Sequence, residues 1–186
     1  MGSNAYHFIT RWRLRGTVRE VADVLADASE LPRWWPSVYL DVTQHEAGDP
    51  ETLVGRRVEL FTKGWLPYTL RWHFVVEQNR FPHGVVLRAH GDLVGRGEWW
   101  FRQDGDAVDV TYDWRVEAQK ALLQRWSVLF KPIFAANHAW AMRRGLESLE
   151  LELSRRRART DAERRRIAAP PAATFAWLTS SRRETR

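Results

Sequence analysis

The stretch FAANHAWAM (Phe134–Met142) sets one imidazole and one carboxamide, His138 and Asn137, in an otherwise apolar run. Histidine titrates near neutrality, so His138 beside a ligand would act as proton donor, proton acceptor or hydrogen-bond anchor. In a solid core the same side chain would instead be satisfied by a backbone carbonyl or a strand residue. The hydroxyls of Tyr68 and Tyr112 are the other groups suited to a carbonyl or phenol oxygen. His138 with Tyr112 is the best acid–base pair the chain offers. Glu98 and Asp113 have the chemistry of bases, but they alternate with Trp99 and Trp114 and so fall on the opposite, solvent-facing side of their strands.

Arg88 and His90 alternate with Leu87 and Ala89, which puts one polar pair on a shared face. A buried arginine there would need a carboxylate or an anionic ligand to offset desolvation. A solvated sheet face accounts for the pair equally well, as it does for Arg71 and His73. His83 and His90 form no recognisable metal set, and the absence of cysteine excludes disulfides, thiolate catalysis and cysteine-based zinc or iron–sulfur sites. There is no Gly-x-Ser-x-Gly, no P-loop and no dinucleotide fingerprint; Gly91, Gly95 and Gly97 have the wrong spacing. No metal and no cofactor is expected.

The elements that must position these groups follow from periodicity. Tyr6, Phe8, Trp12 and Leu14 alternate with Arg11 and Arg13 as a half-buried strand. Thr17-Val18-Arg19-Glu20 is a capping box opening a helix with Val18, Val21, Ala22 and Leu25 on one side. A second short helix begins near Ser29 and ends at Pro36. From Ser37 to about Gln119 the period is two, with Val38, Leu40 and Val42, then Val58 and Leu60, then Tyr68, Leu70, Trp72, Phe74 and Val76 facing one way. A strand near 85–90 follows; then come Gly97, Trp99 and Phe101, a turn at QDGDA with Asp-Gly at its centre, and Val108 to Val116. Consecutive strands with one apolar face each predict a curved antiparallel sheet with a wet outer side. Leu122, Leu123, Trp126, Leu129 and Phe130 form an apolar patch ending at Pro132. A long helix then runs to about Arg156, with Phe134, His138, Ala141, Met142, Gly145, Leu149 and Leu153 on one stripe.

Charge divides the chain in two. Residues 154–186 carry ten arginines against Asp161, Glu163 and Glu184, while residues 1–153 carry 19 basic and 20 acidic groups within an overall +6. A near-neutral body argues against nucleic-acid binding by a basic globular face. The organisation expected is a ligand-binding domain over 1–153 and an Arg-rich helix extension with a disordered tail over 154–186. That tail is a candidate for contact with an anionic surface, and Phe175–Leu178 (FAWL) for folding back onto an apolar groove or a second subunit. With no signal peptide and no run of about 18 apolar residues, the expected location is cytoplasmic. Oligomeric state is not written in the sequence.

Three blocks carry a family resemblance: WRLRGTVREVADVLAD followed by LPRWWPSV, then DLVGRGEWWFRQDGDAVDVTYDWRVE, then FAANHAWAMRRGLESLE. From about Tyr6 to Leu153 the chain resembles the polyketide cyclase/dehydrase and START-type lipid-transfer superfamily. The resemblance implies an α+β helix-grip fold: a curved antiparallel sheet of about seven strands wrapped around a long C-terminal helix, with two short helices after strand 1. It implies a hollow for an apolar ligand between sheet and helix, but no particular reaction, because members differ in what they do. The predicted wall is Trp72, Trp99, Phe101, Tyr112 and Trp114 from the sheet, and Phe134, Asn137, His138, Ala141 and Met142 from the helix, with Ala141 and Gly145 opposite the strand tryptophans. The function expected is binding of a polyketide-, lipid- or sterol-like molecule there. The alternatives are a cyclase/dehydrase using the same hollow, or an interaction module acting through surface or tail.

LPRWWPSV (Leu31–Val38) sets Trp34 and Trp35 between two prolines, which limit its flexibility. Both indoles can plug the core, or one can gate the hollow. The expectation is that one packs under the short helices and the other lies near the entrance.

Overall fold

Alternation of large apolar and charged residues along seven segments produces seven strands that pair in one sheet. The computed structural model describes residues 5–119 and 127–175, the side chains of 127–130 excepted. In chain order the elements are β1 (Ala5–Arg15), α1 (Val18–Ala26), a 3-10 turn (Ala28–Glu30), α2 (Leu31–Trp34), β2 (Tyr39–Glu46), β3 (Arg57–Lys63), β4 (Thr69–Asn79), β5 (Gly84–Gly91), β6 (Leu93–Asp104), β7 (Ala107–Ala118), α3 (Ser127–Arg157) and α4 (Asp161–Arg166). The sheet runs β1-β7-β6-β5-β4-β3-β2, and every neighbouring pair is antiparallel. Meander connections through β2 to β7 need only short turns; β1 closes the far edge on β7. The apolar residues expected at Leu122, Leu123 and Trp126 lie outside the described residues, as do 176–178 of FAWL.

Local chemistry explains the joints. Thr17 accepts from the Glu20 backbone N–H (3.2 Å) while the Glu20 carboxylate accepts from the Thr17 N–H (2.8 Å), so the capping box opens α1 as its sequence predicts. At the β6–β7 turn Asp104 pairs with Ala107, which leaves Gly105-Asp106 at the centre, one residue later than the sequence reading. Gly105 has φ +61°, a conformation that glycine reaches without a Cβ penalty. Pro132 also differs from expectation: it lies inside α3 rather than before it. The helix surface around it is exposed, so water can meet the carbonyl that loses its partner.

The core sits between the concave face of the sheet, the α1–α2 roof and the C-terminal half of α3. Trp12, Val21, Val24, Trp34, Leu60, Leu149 and Leu153 are among its buried members. Two ion pairs tie the roof to α3. Glu20 on α1 meets Arg157 at 2.8 Å, and Arg33 on α2 meets the buried carboxylate of Glu152 through two hydrogen bonds of 2.9 and 2.7 Å. Arg156 adds a third bond to Glu152 at 2.9 Å. Burial by itself raises the Glu152 pKa, but these guanidinium bonds outweigh it and hold the carboxyl below the usual range.

Beyond α3 the chain forms a second capped helix. Thr160 and Glu163 make the capping box of α4. The following segment returns to the sheet edge, where Thr174 accepts from the Lys63 ammonium and donates to the carbonyls of Gly64 and Trp65 at 3.3 and 3.4 Å. No helix among the described residues is long and apolar enough to cross a membrane.

Candidate functional site

Two adjoining chambers lie in the space between sheet, roof and long helix. The upper one lies under α1 and α2, against Leu60, Phe74, Val76, Leu87 and Phe101 of the sheet. It encloses about 1000 Å³ of empty space, its mouth included. The lower one lies under the N-terminal half of α3, against Tyr6, Phe8, Trp72 and Trp114, with about 900 Å³ on the same basis. Four residues border both: Trp35, Tyr39, Tyr112 and Met142. They form a waist where the chambers meet. Concave sites with a mostly apolar lining and a few polar groups are the usual form of small-molecule sites.

The predicted wall residues divide between the chambers. Trp99 and Phe101 line the upper one. Trp72, Trp114, Phe134, Asn137, His138 and Ala141 line the lower one, and Tyr112 and Met142 stand at the waist. Inward-facing positions of β6 and β7 bring the aromatic rings together: Tyr112 stacks on Trp99 with centroids 4.0 Å apart and on Trp114 at 5.6 Å. Gly97 makes this possible. A Cβ there would stand 2.8 Å from the Trp114 ring and 2.9 Å from the Tyr112 hydroxyl.

Gly145 departs from the expectation that it opposes the strand tryptophans. A Cβ on it would lie 2.2 Å from the Trp35 ring, so Trp35, not a strand residue, fills the space left by the missing side chain. Trp34 and Trp35 are both buried, 0% and 3% exposed, and neither lies at an entrance. Trp34 plugs the core outside both chambers. Trp35 packs between Trp12 (6.0 Å), Trp34 (5.5 Å) and Tyr39 (5.1 Å) and partitions the cavity.

His138 stacks on Phe8 at 4.2 Å with the rings 15° apart. Its Nε2 is buried with no hydrogen-bond partner, and burial pushes its pKa down to about 4. At neutral pH it is an uncharged imidazole. Asn137 has a structural partner: its Oδ1 accepts from the Leu66 N–H at 3.3 Å and sits where a Cβ on Gly64 would be, 2.1 Å away.

Tyr6, Tyr39 and Trp35 are among the lining side chains outside the predicted wall. Tyr6 and Tyr39 were not singled out as site residues, and Trp35 was assigned to core or gate. Tyr39 escaped because β2 carries a bulge: Tyr39 pairs with Thr62 and Asp41 with Phe61, leaving Leu40 as an extra residue. The bulge keeps Val38 and Val42 on the core side, adds Tyr39 to them and drops Leu40 out of the alternation. With Tyr68, all four tyrosines of the chain line the lower chamber. Burial raises the pKa of each, that of Tyr68 to about 12. All four are neutral hydroxyls at physiological pH.

The remaining polar candidates lie on the outer face. Glu98 pairs with Arg96 at 2.8 Å and Arg80 at 3.4 Å; Asp113 pairs with Arg115 at 3.0 Å and His7 at 3.1 Å. Arg88 bonds Glu77 at 2.7 Å, and His90 stacks on His73 at 5.2 Å across β4 and β5. Among the described residues no group of three or more His, Asp or Glu side chains is arranged to hold a metal ion.

No protein-family model matches the chain, and no curated protein sequence does. Solved structures do match. The chain is similar to the di-domain ARO/CYC BexL from the BE-7585A biosynthetic pathway, with 15% identity, a TM-score of 0.65 and 86% of this chain covered. It spans 52% of that longer protein. It is also similar to the Zhui aromatase/cyclase from Streptomyces sp. R1128, at 16% identity and TM-score 0.64 over 83% of this chain and 97% of that one. A point mutant of norcoclaurine synthase from Thalictrum, in complex with a transition-state analogue, matches at 11% identity and TM-score 0.56 over 83% and 97%. At such identities the likeness is one of fold. The protein is an α+β helix-grip protein: a seven-stranded antiparallel sheet curved around a long C-terminal helix, with a largely apolar cavity between them.

Proposed function

We propose that the protein binds an apolar or aromatic small molecule, polyketide-, lipid- or sterol-like, in the two-chamber cavity. One observation carries the reading. The lower chamber is lined by aromatic rings, yet the Tyr6 hydroxyl and His138 Nε2 are buried there without a protein partner. A solid core would leave such atoms at a cost of about 1–3 kcal/mol each. A ligand oxygen supplies the missing partner. The aromatase/cyclases among the similar structures support a ligand of this kind. Titrating the protein with polycyclic aromatics, polyketides and fatty acids should give a saturable change in tryptophan fluorescence, since Trp35, Trp72, Trp99 and Trp114 border the cavity. A broad panel with no saturable response overturns the reading.

A second reading, cyclase/dehydrase-type catalysis in the same cavity, is favoured by the neutral, unpartnered His138 in a chamber that also holds Tyr112. In an enolisation the imidazole would take a proton from carbon while a phenol gives one to the carbonyl oxygen. Burial works against both: a histidine near 4 is a weak base and a tyrosine well above 10 a weak acid. Binding therefore ranks first. Equal product profiles from a poly-β-keto substrate with wild type and His138→Ala would remove His138 from any mechanism.

A further inference from the structure

The waist holds the chemistry that the two chambers do not share. Of its four residues, three carry a donor hydrogen: the hydroxyls of Tyr39 and Tyr112 and the indole N–H of Trp35. The Trp35 N–H is buried without a partner, and among the described residues neither phenol makes a hydrogen bond to protein. Trp35 is 3% exposed, so bulk water does not serve its N–H. Burial raises the pKa of both phenols, and Tyr39 adds to the rise at Tyr112, which leaves both as neutral donors. Above, the walls are mostly leucine, valine and phenylalanine; below, tryptophan and phenylalanine stand beside fewer polar groups, Tyr6, Tyr68 and His138 among them.

We infer that the protein selects an elongated, uncharged molecule carrying two apolar groups on either side of a central hydrogen-bond acceptor, such as a ketone, enone or ester. The acceptor is held at the waist by Tyr39, Tyr112 and Trp35, one apolar group fills each chamber, and Trp35 sets the point of division. This rests on the proposed binding role and narrows it. A terminal acceptor, as in a fatty acid, puts its oxygen in a chamber rather than at the waist. A plain hydrocarbon leaves the donors at the waist unmet. Trp35 cannot swing aside to admit a bulkier centre, because Gly145, Trp12, Trp34 and Tyr39 enclose its ring.

Three compounds of matched shape test this on the full-length protein by fluorescence titration. Dibenzyl ketone has a central carbonyl, dibenzylmethane has none, and para-phenethylbenzaldehyde is an isomer of the ketone with its carbonyl at one end. The ketone should bind about tenfold more tightly than the hydrocarbon, the ratio expected of one net hydrogen bond or slightly more. It should also bind more tightly than the aldehyde. In a Tyr39→Phe/Tyr112→Phe variant the ketone's advantage should shrink to about twofold or less, while dibenzylmethane, no longer set against unmet phenols, should bind at least as tightly as to wild type and so report an intact cavity and fold. The carbonyl stretch of bound dibenzyl ketone should move to lower frequency in wild type and revert in the variant. Equal affinity for ketone and hydrocarbon, or an advantage that survives loss of both phenols, overturns the inference and leaves the binding role standing. No saturable binding by any of the three overturns both.

Discussion

The upper and lower chambers share a waist but are built for different ends. The upper chamber lies under a roof that is clamped: Trp34 is wedged beneath it, and Glu20–Arg157 and Arg33–Glu152 fasten it to α3. The lower chamber lies under the less buried half of α3, where Ile133, Ala135, Ala136 and Ala139 face solvent. It carries two buried, unpartnered polar atoms that the upper one lacks, the Tyr6 hydroxyl and His138 Nε2. Stability is concentrated at one end of the cavity and hydrogen-bonding capacity at the other. The contrast teaches that, on the binding role proposed above, polar contacts fall where the fold leaves donors and acceptors unpaired.

That contrast can be broken by measurement. Trp34→Ala empties the wedge under the roof and should cost about 4 kcal/mol in urea unfolding, within the range for a buried large aromatic. A loss below about 1 kcal/mol would mean that the roof is not held from beneath. His138 gives the next effect. Unfolded histidine protonates near 6.5 and the folded residue near 4, so between these values the unfolded state takes up a proton that the folded state refuses. Stability from this group is full above pH 6.5 and falls by about 3 kcal/mol as pH drops to 4. His138→Phe should flatten the unfolding midpoint across that window, and an unchanged slope would mean the imidazole titrates normally.

The roof clamps act at lower pH and more weakly. Hydrogen bonds from Arg157 and the Thr17 backbone hold Glu20 at about 2, and Glu152 also lies below its ordinary value. Carboxylates with depressed pKa stabilise the fold above the unfolded value, about 4.3, and lose that contribution as pH falls toward 2. Solvent reaches Glu20, Arg157 and Arg33, so about 1 kcal/mol per pair is expected. Glu20→Gln with Glu152→Gln should reduce the acid-limb slope below about pH 4.5, with Asp49, Asp109 and Asp113 supplying what remains, while leaving the His138 window in place. Tyr6→Phe gives the smallest change. It deletes a hydroxyl without a partner, so unfolding free energy should shift by less than about 1 kcal/mol in either direction. A loss of 2 kcal/mol or more would show that the hydroxyl is already satisfied in the free protein.

Much of this molecule was legible in the residues. The capping box at Thr17, the alternation of Leu70 to Val76 and the stripe Met142, Leu149, Leu153 each obey a local period, and each forms as read. All ten predicted wall residues border one chamber or the other, because inward-facing aromatics on β4, β6 and β7 follow directly from parity along a strand. What escaped depends on non-local geometry. A single extra residue at Leu40 put that leucine in the place of Tyr39 in the alternation of β2 and hid the tyrosine. Trp35 at the waist required knowing that α3 passes close enough to need a glycine at 145. Division of the hollow into two chambers is a property of packing across elements, and no window of sequence contains it.

Gly145 and Trp35 have a consequence for how this protein can vary among its descendants. The indole already occupies the space a methyl group on residue 145 would need, 2.2 Å from its nearest ring atom. A lineage can gain a side chain at 145 only after residue 35 has shrunk, and a shrunken residue 35 merges the two chambers. The two positions should therefore drift as a pair, and any relative with alanine or larger at 145 should prove to accept a different shape of guest.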